Sequence, residues 1–314
     1  MKRRVLVSGG AGFIGSHIVR AHRAAGDEVT VLDDLSSGRI ENVPEGVRLV
    51  RVDVRSLEAR SLLATGGFAI FNHHAAQMDV RRSVEDPVYD AEVNVLGLLN
   101  LLEGARAGAV QRVVFASSGG TVYGDGAQAP TPEGAPKLPA SPYGTAKLTS
   151  EYYLATFGQL FGLEAVALRY SNVYGPRQNP HGEAGVVAIF GQRVLAGEPI
   201  TIYGDGQQTR DLVYVEDVAA ANLLAAERAL APLGSLDARA YNIGTGVETT
   251  VNRLAELLAA AAGRSSEIRR APARAGEILR SALDVGKAGR ELGWHPRVPL
   301  PEGVARTLRW IAEG

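Results

Sequence analysis

A glycine-rich turn near the N-terminus constrains the fold more than any other stretch. Residues 4–8 are an apolar run typical of a buried strand, residues 16–25 have a helical pattern, and residues 28–32 are a second predicted strand. Gly9, Gly12 and Gly15 stand between the first strand and the helix. We expect Gly9 to permit a tight turn, Gly12 to let a phosphate approach the helix N-terminus, and Gly15 to allow close packing of helix on strand. This βαβ unit is typical of a dinucleotide-binding site.

Acidic residues follow the second and third predicted strands. Asp33 can accept hydrogen bonds from the adenosine ribose hydroxyls, and its charge would repel a 2′-phosphate, which favours NAD over NADP. Arg39, beyond a Ser-Ser-Gly turn, is the one nearby cation that argues for NADP. After the third strand, residues 48–52, Asp53 either contacts the adenine amino group or caps a helix before Ser56.

Strands and helices continue to alternate along the chain. We predict further strands at residues 68–72, 111–116, 166–170, 198–203 and 241–243, and helices at 90–108, 215–231, 251–262 and 300–312. Ligands of open parallel sheets bind beyond the carboxyl ends of the strands. The small or polar residues expected at that edge are Ala75, Ala76 and Gln77 after the fourth strand, and Ser117, Ser118 and Thr121 after the fifth. We predict an α/β fold, a Rossmann-type doubly wound parallel sheet with a smaller C-terminal α+β substrate lobe.

A tyrosine and a lysine stand four residues apart at a predicted helix start. Ser141 suits the N-cap and Pro142 the first helical position. Tyr143 and Lys147 then lie on one helix face and can point at one ligand. We expect the charge of Lys147 and the helix dipole to lower the pKa of the phenol, so that Tyr143 can act as a base. In isolation, the same pattern is also that of an exposed tyrosine beside a solvated lysine.

Composition excludes several classes of function. The formal net charge is -1 without a long run of one sign, so we expect neither nucleic acid nor a membrane surface as partner. The chain has no cysteine, which excludes thiolate metal sites and cysteine nucleophiles. His73 and His74 are adjacent, and neighbours on an extended segment point to opposite faces, so we expect no metal there. The apolar run after Met1 ends within four residues, and we expect a cytoplasmic protein.

Together these motifs resemble the extended short-chain dehydrogenase/reductase family, most closely its UDP-glucose 4-epimerase branch. The resemblance covers essentially the whole chain. It is carried by the glycine turn, Asp33, Ser117-Ser118 with Tyr123-Gly124, Tyr143 with Lys147, the run from Arg169 to Gln178, Gly204-Asp205-Gly206 with Arg210-Asp211, and Tyr241-Asn242-Ile243-Gly244.

The resemblance implies roles for the catalytic residues. Tyr143 is the general base and acid, Lys147 holds the nicotinamide ribose and tunes the tyrosine, and Ser118 bonds the reacting sugar hydroxyl. Counting back from Tyr123 places the serine position at Gly119, whereas counting forward from the strand places it at Ser118. Ser117 is the second candidate for the catalytic serine, and Thr121 is a possible helper. The expected NAD-binding set comprises Gly9, Gly12, Phe13, Ile14, Gly15, Asp33, Asp53, Val54, Ala75, Ala76, Gln77, Asn94, Ser117, Tyr143 and Lys147.

The resemblance also implies two lobes that clamp a UDP-sugar. We expect residues 1–174 with 211–246 to bind NAD, and residues 175–210 with 247–314 to bind the nucleotide sugar. The expected substrate-binding residues are Ser118, Thr121, Asn172, Arg210, Arg274, Glu277 and Ser281. Ser281 stands where a tyrosine excludes an N-acetyl group, so we expect UDP-N-acetylglucosamine to be accepted as well as UDP-glucose.

The predicted reaction is NAD-dependent 4-epimerisation of a UDP-hexose through a 4-keto sugar, in a homodimer formed by the helices at 90–108 and 143–160. A 4,6-dehydratase needs an acid pair where Gly119-Gly120 stands, which argues against that activity. A UDP-glucuronate 4-epimerase, or another enzyme of the family that modifies nucleotide sugars, remains an alternative. A non-catalytic NAD-sensing protein is a further alternative. Such a protein would be expected to lack Tyr143 or Lys147, and both residues are present.

Overall fold

The computed structural model describes residues 2–180, 185–273 and 278–313. These residues contain twelve strands, which are, in chain order, β1 (Arg4–Ser8), β2 (Glu28–Leu32), β3 (Arg48–Val50), β4 (Ile70–His73), β5 (Arg112–Ser118), β6 (Glu164–Tyr170), β7 (Asn172–Tyr174), β8 (Ile200–Tyr203), β9 (Thr209–Tyr214), β10 (Ala240–Ile243), β11 (Glu248–Thr250) and β12 (Ile268–Ala271). The same residues contain ten α-helices, which are α1 (Phe13–Ala24), α2 (Leu57–Thr65), α3 (Val80–Glu85), α4 (Pro87–Ala91), α5 (Gly97–Ala107), α6 (Pro142–Phe161), α7 (Val186–Ala196), α8 (Val215–Glu227), α9 (Val251–Ala262) and α10 (Leu300–Glu313).

Seven strands form one parallel sheet in the order β3-β2-β1-β4-β5-β6-β10. Both faces are covered by helices, which is why the strands are near-continuous apolar runs. Helices α1 and α8 contribute to the core on one face, and α2, α5 and α6 contribute to the core on the other. The predicted doubly wound Rossmann-type sheet is confirmed.

The strand order reverses between β1 and β4, because β1 pairs with β2 on one side and with β4 on the other. Such a switch point leaves a crevice beyond the carboxyl ends of the two strands, where ligands of open α/β sheets bind. The glycine turn follows β1, and Ala75 lies just beyond β4. The fold therefore brings these two segments together at the predicted edge.

A second, smaller core lies in the C-terminal part of the chain. A three-stranded sheet, β11-β9-β7, and a two-stranded sheet, β12-β8, accompany α7, α9 and α10. Phe190, Leu258 and Leu308 are buried together in this core. The predicted α+β lobe is thus present. Residues 288–294 pack instead on the core of the large sheet through Leu292 and Trp294. The division at residues 174, 210 and 246 stays a prediction.

Several element boundaries differ from the sequence prediction for local reasons. Helix α1 begins at Phe13 rather than Ser16, since Gly12 is its N-cap. The helix predicted over 90–108 is α4, a π-helical segment (Glu92–Leu96) and α5 in succession. Strand β5 runs two residues beyond the predicted end because Ser117 and Ser118 stay paired with β6. Helix α8 ends at Glu227, four residues early.

Candidate active site

The glycine turn leaves no room for side chains at two of its three glycines. Gly9 has a φ of +68°, and a Cβ there would lie 2.5 Å from the backbone nitrogen of Ala75. A Cβ on Gly15 would lie 2.1 Å from the carbonyl oxygen of Gly9. The tight turn and the close packing are therefore confirmed. Gly12 is the N-cap of α1, so the N–H groups of the first helical turn have no partner within the helix, as expected of an anion site.

Asp33 at the end of β2 is buried and holds the glycine turn. One carboxylate oxygen accepts from the Ala11 N–H at 2.9 Å, and the other accepts from the Leu35 N–H at 2.9 Å. Burial raises the pKa of Asp33, and these two backbone N–H donors oppose the rise. A carboxylate offers about four lone-pair positions, so two further hydrogen bonds to ribose hydroxyls remain possible.

The side chain of Asp53 is taken by Arg55, whose guanidinium lies 2.6 Å away. The helix cap is Ser56, which accepts from the Ala59 N–H, so the alternative of Asp53 as the cap is wrong. The contact of Asp53 with the adenine amino group stays a prediction. The NAD contact of the neighbouring Val54, which is buried, also stays a prediction.

Gln77 and Asn94 form one buried network with Asp90. The Gln77 amide donates to Asp90 Oδ1 at 2.9 Å, and the Asn94 amide donates to the same oxygen at 3.0 Å. Asn94 also exchanges two hydrogen bonds with the backbone of Gln77. Both amides are therefore engaged within the protein, and sequence analysis did not identify Asp90, their shared partner.

Helix α6 begins where predicted and presents the Tyr143 and Lys147 pair. The Ser141 hydroxyl accepts from the Gly144 N–H at 3.1 Å, and the Ser83 hydroxyl accepts from the Tyr143 N–H at 3.2 Å. Two of the orphan N–H groups of the first turn are thereby satisfied. Lys147 Nζ donates to the carbonyl of Ala116 on β5 at 2.9 Å and lies 5.7 Å from the centre of the Tyr143 ring.

Burial dominates the protonation of both groups. It raises the pKa of Tyr143 above the ordinary value, and the negative charge of Asp90 adds to the rise. The prediction of a lowered tyrosine pKa is therefore wrong for this arrangement, because loss of hydration and the charge of Asp90 both raise the pKa of Tyr143. Burial lowers the pKa of Lys147 to about 8, with Asp90 and Glu151 acting in the opposite direction. Lys147 is thus mainly charged at neutral pH.

The structure separates the two candidate serines. Ser117 is buried and donates its hydroxyl to Glu151 at 2.5 Å. The Ser118 hydroxyl, half-buried at the end of β5, has no hydrogen-bond partner among residues 2–180, 185–273 and 278–313. A Cβ on Gly119 would lie 2.5 Å from Leu283 Cδ1, so a side chain at that position would have to displace Leu283. Ser118 is therefore the serine with a free hydroxyl.

Glu151 belongs to a buried ion-pair network that sequence analysis missed. Arg169, fully buried on β6, donates to its carboxylate through Nη2 at 2.6 Å and Nε at 3.0 Å. The other guanidinium nitrogen donates to the hydroxyl of Tyr123 at 3.0 Å. The available signal was spacing, because Glu151 stands four residues after Lys147 on the same face of α6.

The predicted sugar-side residues lie in several segments. Asn172 is exposed at the start of β7. Arg210 on β9 donates to the carbonyl oxygen of Ile278 at 2.8 Å. Ser281 lines a small cleft with Gly119 and Gly120, opposite the end of β5. Arg274 and Glu277 lie outside the described residues.

Thr121 lies beside α6, where its carbonyl oxygen would be 2.9 Å from a Cβ on Gly144.

The two histidines near the end of β4 are both hydrogen-bonded within the protein. His73 Nδ1 bonds Ser8 Oγ at 2.6 Å, and His74 Nε2 bonds the Tyr170 hydroxyl at 2.9 Å. Ala75 and Ala76 are half-buried beside them. In the described part of the chain, no helix combines the length and the apolar character needed to cross a bilayer.

Known proteins share this arrangement over nearly the whole chain. The UDP-glucose 4-epimerase of Mycolicibacterium smegmatis is 45% identical over 313 residues, covering 98% of both chains. The structure of the Thermotoga maritima UDP-glucose 4-epimerase with UDP-glucose has a TM-score of 0.94 and 43% identity, covering 99% of both chains. The Thermus thermophilus UDP-glucose 4-epimerase in complex with NAD has a TM-score of 0.89 and 48% identity, covering 98% of this chain and 99% of that one.

A family model adds a direct assignment. Residues 5–244 match the model of the NAD dependent epimerase/dehydratase family, which spans the glycine turn, Ser118 and the Tyr143 and Lys147 pair. The matched range also contains all seven strands of the large sheet except the first residue of β1. The chain therefore belongs to the NAD dependent epimerase/dehydratase family.

Proposed function

We propose that this protein interconverts UDP-glucose and UDP-galactose by NAD-dependent 4-epimerisation. The observation that carries the proposal is the position of Lys147, which lies 5.7 Å from the Tyr143 ring and donates to the Ala116 carbonyl of β5, the strand that ends at Ser118. Full-length similarity to UDP-glucose 4-epimerases supports the substrate class.

The residues present fit NAD. The turn is tight because Gly9 and Gly15 have no Cβ, which would clash with nearby backbone atoms. The N-terminus of α1 offers N–H groups to a pyrophosphate. Asp33 takes the adenosine ribose and Lys147 the nicotinamide ribose. When bound, NAD supplies the hydride acceptor and donor for the sugar C4 carbon.

The residues of the chain manage the proton of the 4-hydroxyl. Tyr143 takes that proton as base and returns it as acid, at the same oxygen. Its high pKa in this buried setting means that positive charge is needed to stabilise the phenolate. Lys147, mainly charged at neutral pH, supplies it. The Ser118 hydroxyl donates to the sugar oxygen and orients it.

The loop after β5 favours epimerisation over 4,6-dehydration. A dehydratase needs an acid pair after the strand-five serine, whereas Gly119 and Gly120 stand there. Leu283 fills the space into which a side chain at position 119 would project, so an acid cannot be placed there without displacing it. The sugar therefore keeps its 6-hydroxyl, and the reaction stops at inversion of C4.

The second lobe binds the nucleotide part of the substrate. We assign diphosphate contacts to Asn172 and to the guanidinium groups of Arg210 and Arg274, because guanidinium groups bind phosphates through paired donors. Glu277 takes the uridine ribose. Ser281 is a small residue at the position where a tyrosine would exclude an N-acetyl group, so we assign UDP-N-acetylglucosamine as a second substrate.

The homodimer is the proposed assembly. Large apolar side chains are exposed on the two helical segments expected at its interface: Leu96 is 57% exposed, Tyr152 57% and Leu160 69%. A second copy would cover this apolar surface. Light scattering tests the assembly, and a monomeric mass at micromolar concentration would contradict it.

The activity is tested with a panel of UDP-sugars whose products are identified by NMR. We expect UDP-galactose from UDP-glucose and UDP-N-acetylgalactosamine from UDP-N-acetylglucosamine, with product formation slowed by about 10²- to 10⁴-fold in Tyr143→Phe. The variant Ser281→Tyr should lose the N-acetyl reaction and keep the other. Failure of wild-type protein to epimerise any UDP-hexose would overturn the proposed function.

A further inference from the structure

Asp90 is a buried carboxylate that the proposed mechanism does not use. It is 1% exposed on α4. Its Oδ1 accepts from the amides of Gln77 and Asn94, whereas its Oδ2 is buried and, in the described part of the chain, has no hydrogen-bond partner. Burying a carboxylate without a cation beside it is unfavourable. A neutral residue would be expected here if the position served packing alone.

Two hydrogen bonds fix the segment that carries Asp90 against α6. The Ser83 hydroxyl accepts from the Tyr143 N–H at 3.2 Å, and the Ser150 hydroxyl donates to the Asn94 carbonyl at 3.3 Å. Asp90 stands between Ser83 and Asn94 in the chain, and Lys147 stands between the two partners on α6. This double attachment packs α4, which carries Asp90, against α6, which carries Tyr143 and Lys147.

The other titratable groups around the pair are already neutral or paired. Glu151 on α6 is bound by Arg169 and Ser117. On β4, burial lowers the pKa of His73 to about 3, and burial also lowers that of His74 far below its ordinary value, so both are neutral at pH 7. Among the described residues, Asp90 is thus the acidic group that acts on the pair without an ion-pair partner of its own.

We propose that Asp90 is a positioning residue that keeps Lys147 in its ammonium form and sets the pH range in which the Tyr143 and Lys147 pair works. The proposal deepens the proposed function and rests on it. Asp90 acts through Lys147 and Tyr143 and has no contact with the substrate in this mechanism.

Removing the charge of Asp90 shifts both groups in the same direction. A negative charge favours the ammonium form of Lys147 and disfavours the phenolate of Tyr143, so it raises the pKa of each. Without that charge both pKa values fall. Because the two groups titrate as a coupled pair, both limbs of the pH profile of kcat move to lower pH, whichever group each limb reports.

The test uses Asp90→Asn in the full-length holoenzyme, since an asparagine retains an oxygen for Gln77 and Asn94. Asp86→Asn is the matched control: Asp86 is exposed, four residues away, and its capping bond to the Tyr89 N–H is one that asparagine can also make. Asp90→Ser is a second neutral variant in case the first fails to fold. The pH profile of kcat is measured for all of them.

A second readout does not depend on turnover. The chain has four lysines, so an NMR titration of protein with isotope-labelled lysine resolves few signals, and Lys147→Arg identifies the one of interest. We expect both neutral Asp90 variants to move the kcat profile and the Lys147 titration to lower pH by about one unit, with Asp86→Asn unchanged.

An unshifted Lys147 titration in the Asp90 variants would overturn the inference, as would a loss of kcat that is uniform across the pH range. Failure of the proposed function has a different signature. Wild-type protein would then show no epimerisation, while the lysine titration would still report whether Asp90 acts on Lys147.

Discussion

Two buried charged residues on the same face of α6, Glu151 and Lys147, differ in whether they form a direct ion pair within the described residues. Glu151 is 3% exposed and accepts hydrogen bonds from Ser117 and from two nitrogens of Arg169. Lys147, one turn earlier, is 4% exposed, and its one hydrogen bond within the described residues goes to the carbonyl of Ala116. A buried charge with its counter-charge in place holds structure, whereas one without is typical of a position that a ligand completes.

The same contrast separates the two serines at the end of β5. Ser117 faces the Glu151 network and has its hydroxyl engaged, whereas Ser118 points to the other face of the strand with its hydroxyl free among described residues. The alternation of side chains along a strand explains how adjacent serines come to differ. Ser117 therefore belongs to the buried network around Glu151, whereas Ser118 belongs to the candidate active site.

The largest expected effect is on turnover in Tyr143→Phe. Loss of the phenolic oxygen removes the base and acid, and we expect kcat to fall by about 10²- to 10⁴-fold. The free energy of unfolding should hardly change, because in the described residues the hydroxyl makes no hydrogen bond. Steady-state kinetics and denaturant titration measure the two. Tyr152→Phe is the control and should match wild type, because it keeps the apolar ring that the proposed dimer interface would cover.

The next effect is on stability in Glu151→Gln. Arg169 would keep Asp237 as an acidic partner, at 2.8 Å, but lose the carboxylate that binds two of its nitrogens. We expect the free energy of unfolding to fall by about 3 kcal/mol. Lys147→Met should lose turnover but little stability, because it removes a charge that burial disfavours. Glu256→Gln, in an exposed pair with Arg253, should change stability by less than about 1 kcal/mol. The comparison fails if Lys147→Met destabilises as much as Glu151→Gln.

The paired substitutions Ser117→Ala and Ser118→Ala sharpen the contrast at β5. Ser117→Ala removes a hydrogen bond to a buried carboxylate and should cost about 1–3 kcal/mol of stability. Ser118→Ala should leave stability unchanged and lower kcat by about 10- to 100-fold, the value of one hydrogen bond to a charged group. The opposite pattern would reassign the catalytic role to Ser117: turnover lost only in Ser117→Ala, and stability lost only in Ser118→Ala.

The smallest effect is expected at the start of α6. Ser141→Ala removes the side chain that accepts from the Gly144 N–H, and we expect a loss of about 1 kcal/mol in the free energy of unfolding. Thermal denaturation detects such a change. Ser61→Ala, at an exposed position within α2, is the control and should lie within about 0.5 kcal/mol of wild type. Equal effects would mean that Ser141 does not cap the helix.

Sequence reasoning succeeded where the signal is local. The glycine turn, the alternation of strands and helices, and the start of α6 at Ser141 and Pro142 depend on residues close in the chain. Arg169, Leu283 and Asp90 were missed because their roles depend on contacts between distant segments: 18 residues separate Arg169 from Glu151, and Leu283 meets Gly119 across more than half the chain.

The pKa of Tyr143 was predicted with the wrong sign for the same reason. The lysine and the helix dipole are visible in the sequence, whereas burial of the phenol and the charge of Asp90 come from the packing of α4 on α6. Desolvation is set by everything that surrounds a group, so it cannot be obtained from a four-residue spacing.

The most direct test of the account follows the hydrogen at C4. Wild-type protein is given UDP-galactose with deuterium at C4, mixed with UDP-galactose that carries a carbon-13 label and no deuterium. We predict that UDP-glucose forms with deuterium retained at C4, and only in molecules without the carbon-13 label, because the hydride returns to the sugar that released it. Deuterium lost to solvent, or found in the carbon-13-labelled product, would contradict the mechanism.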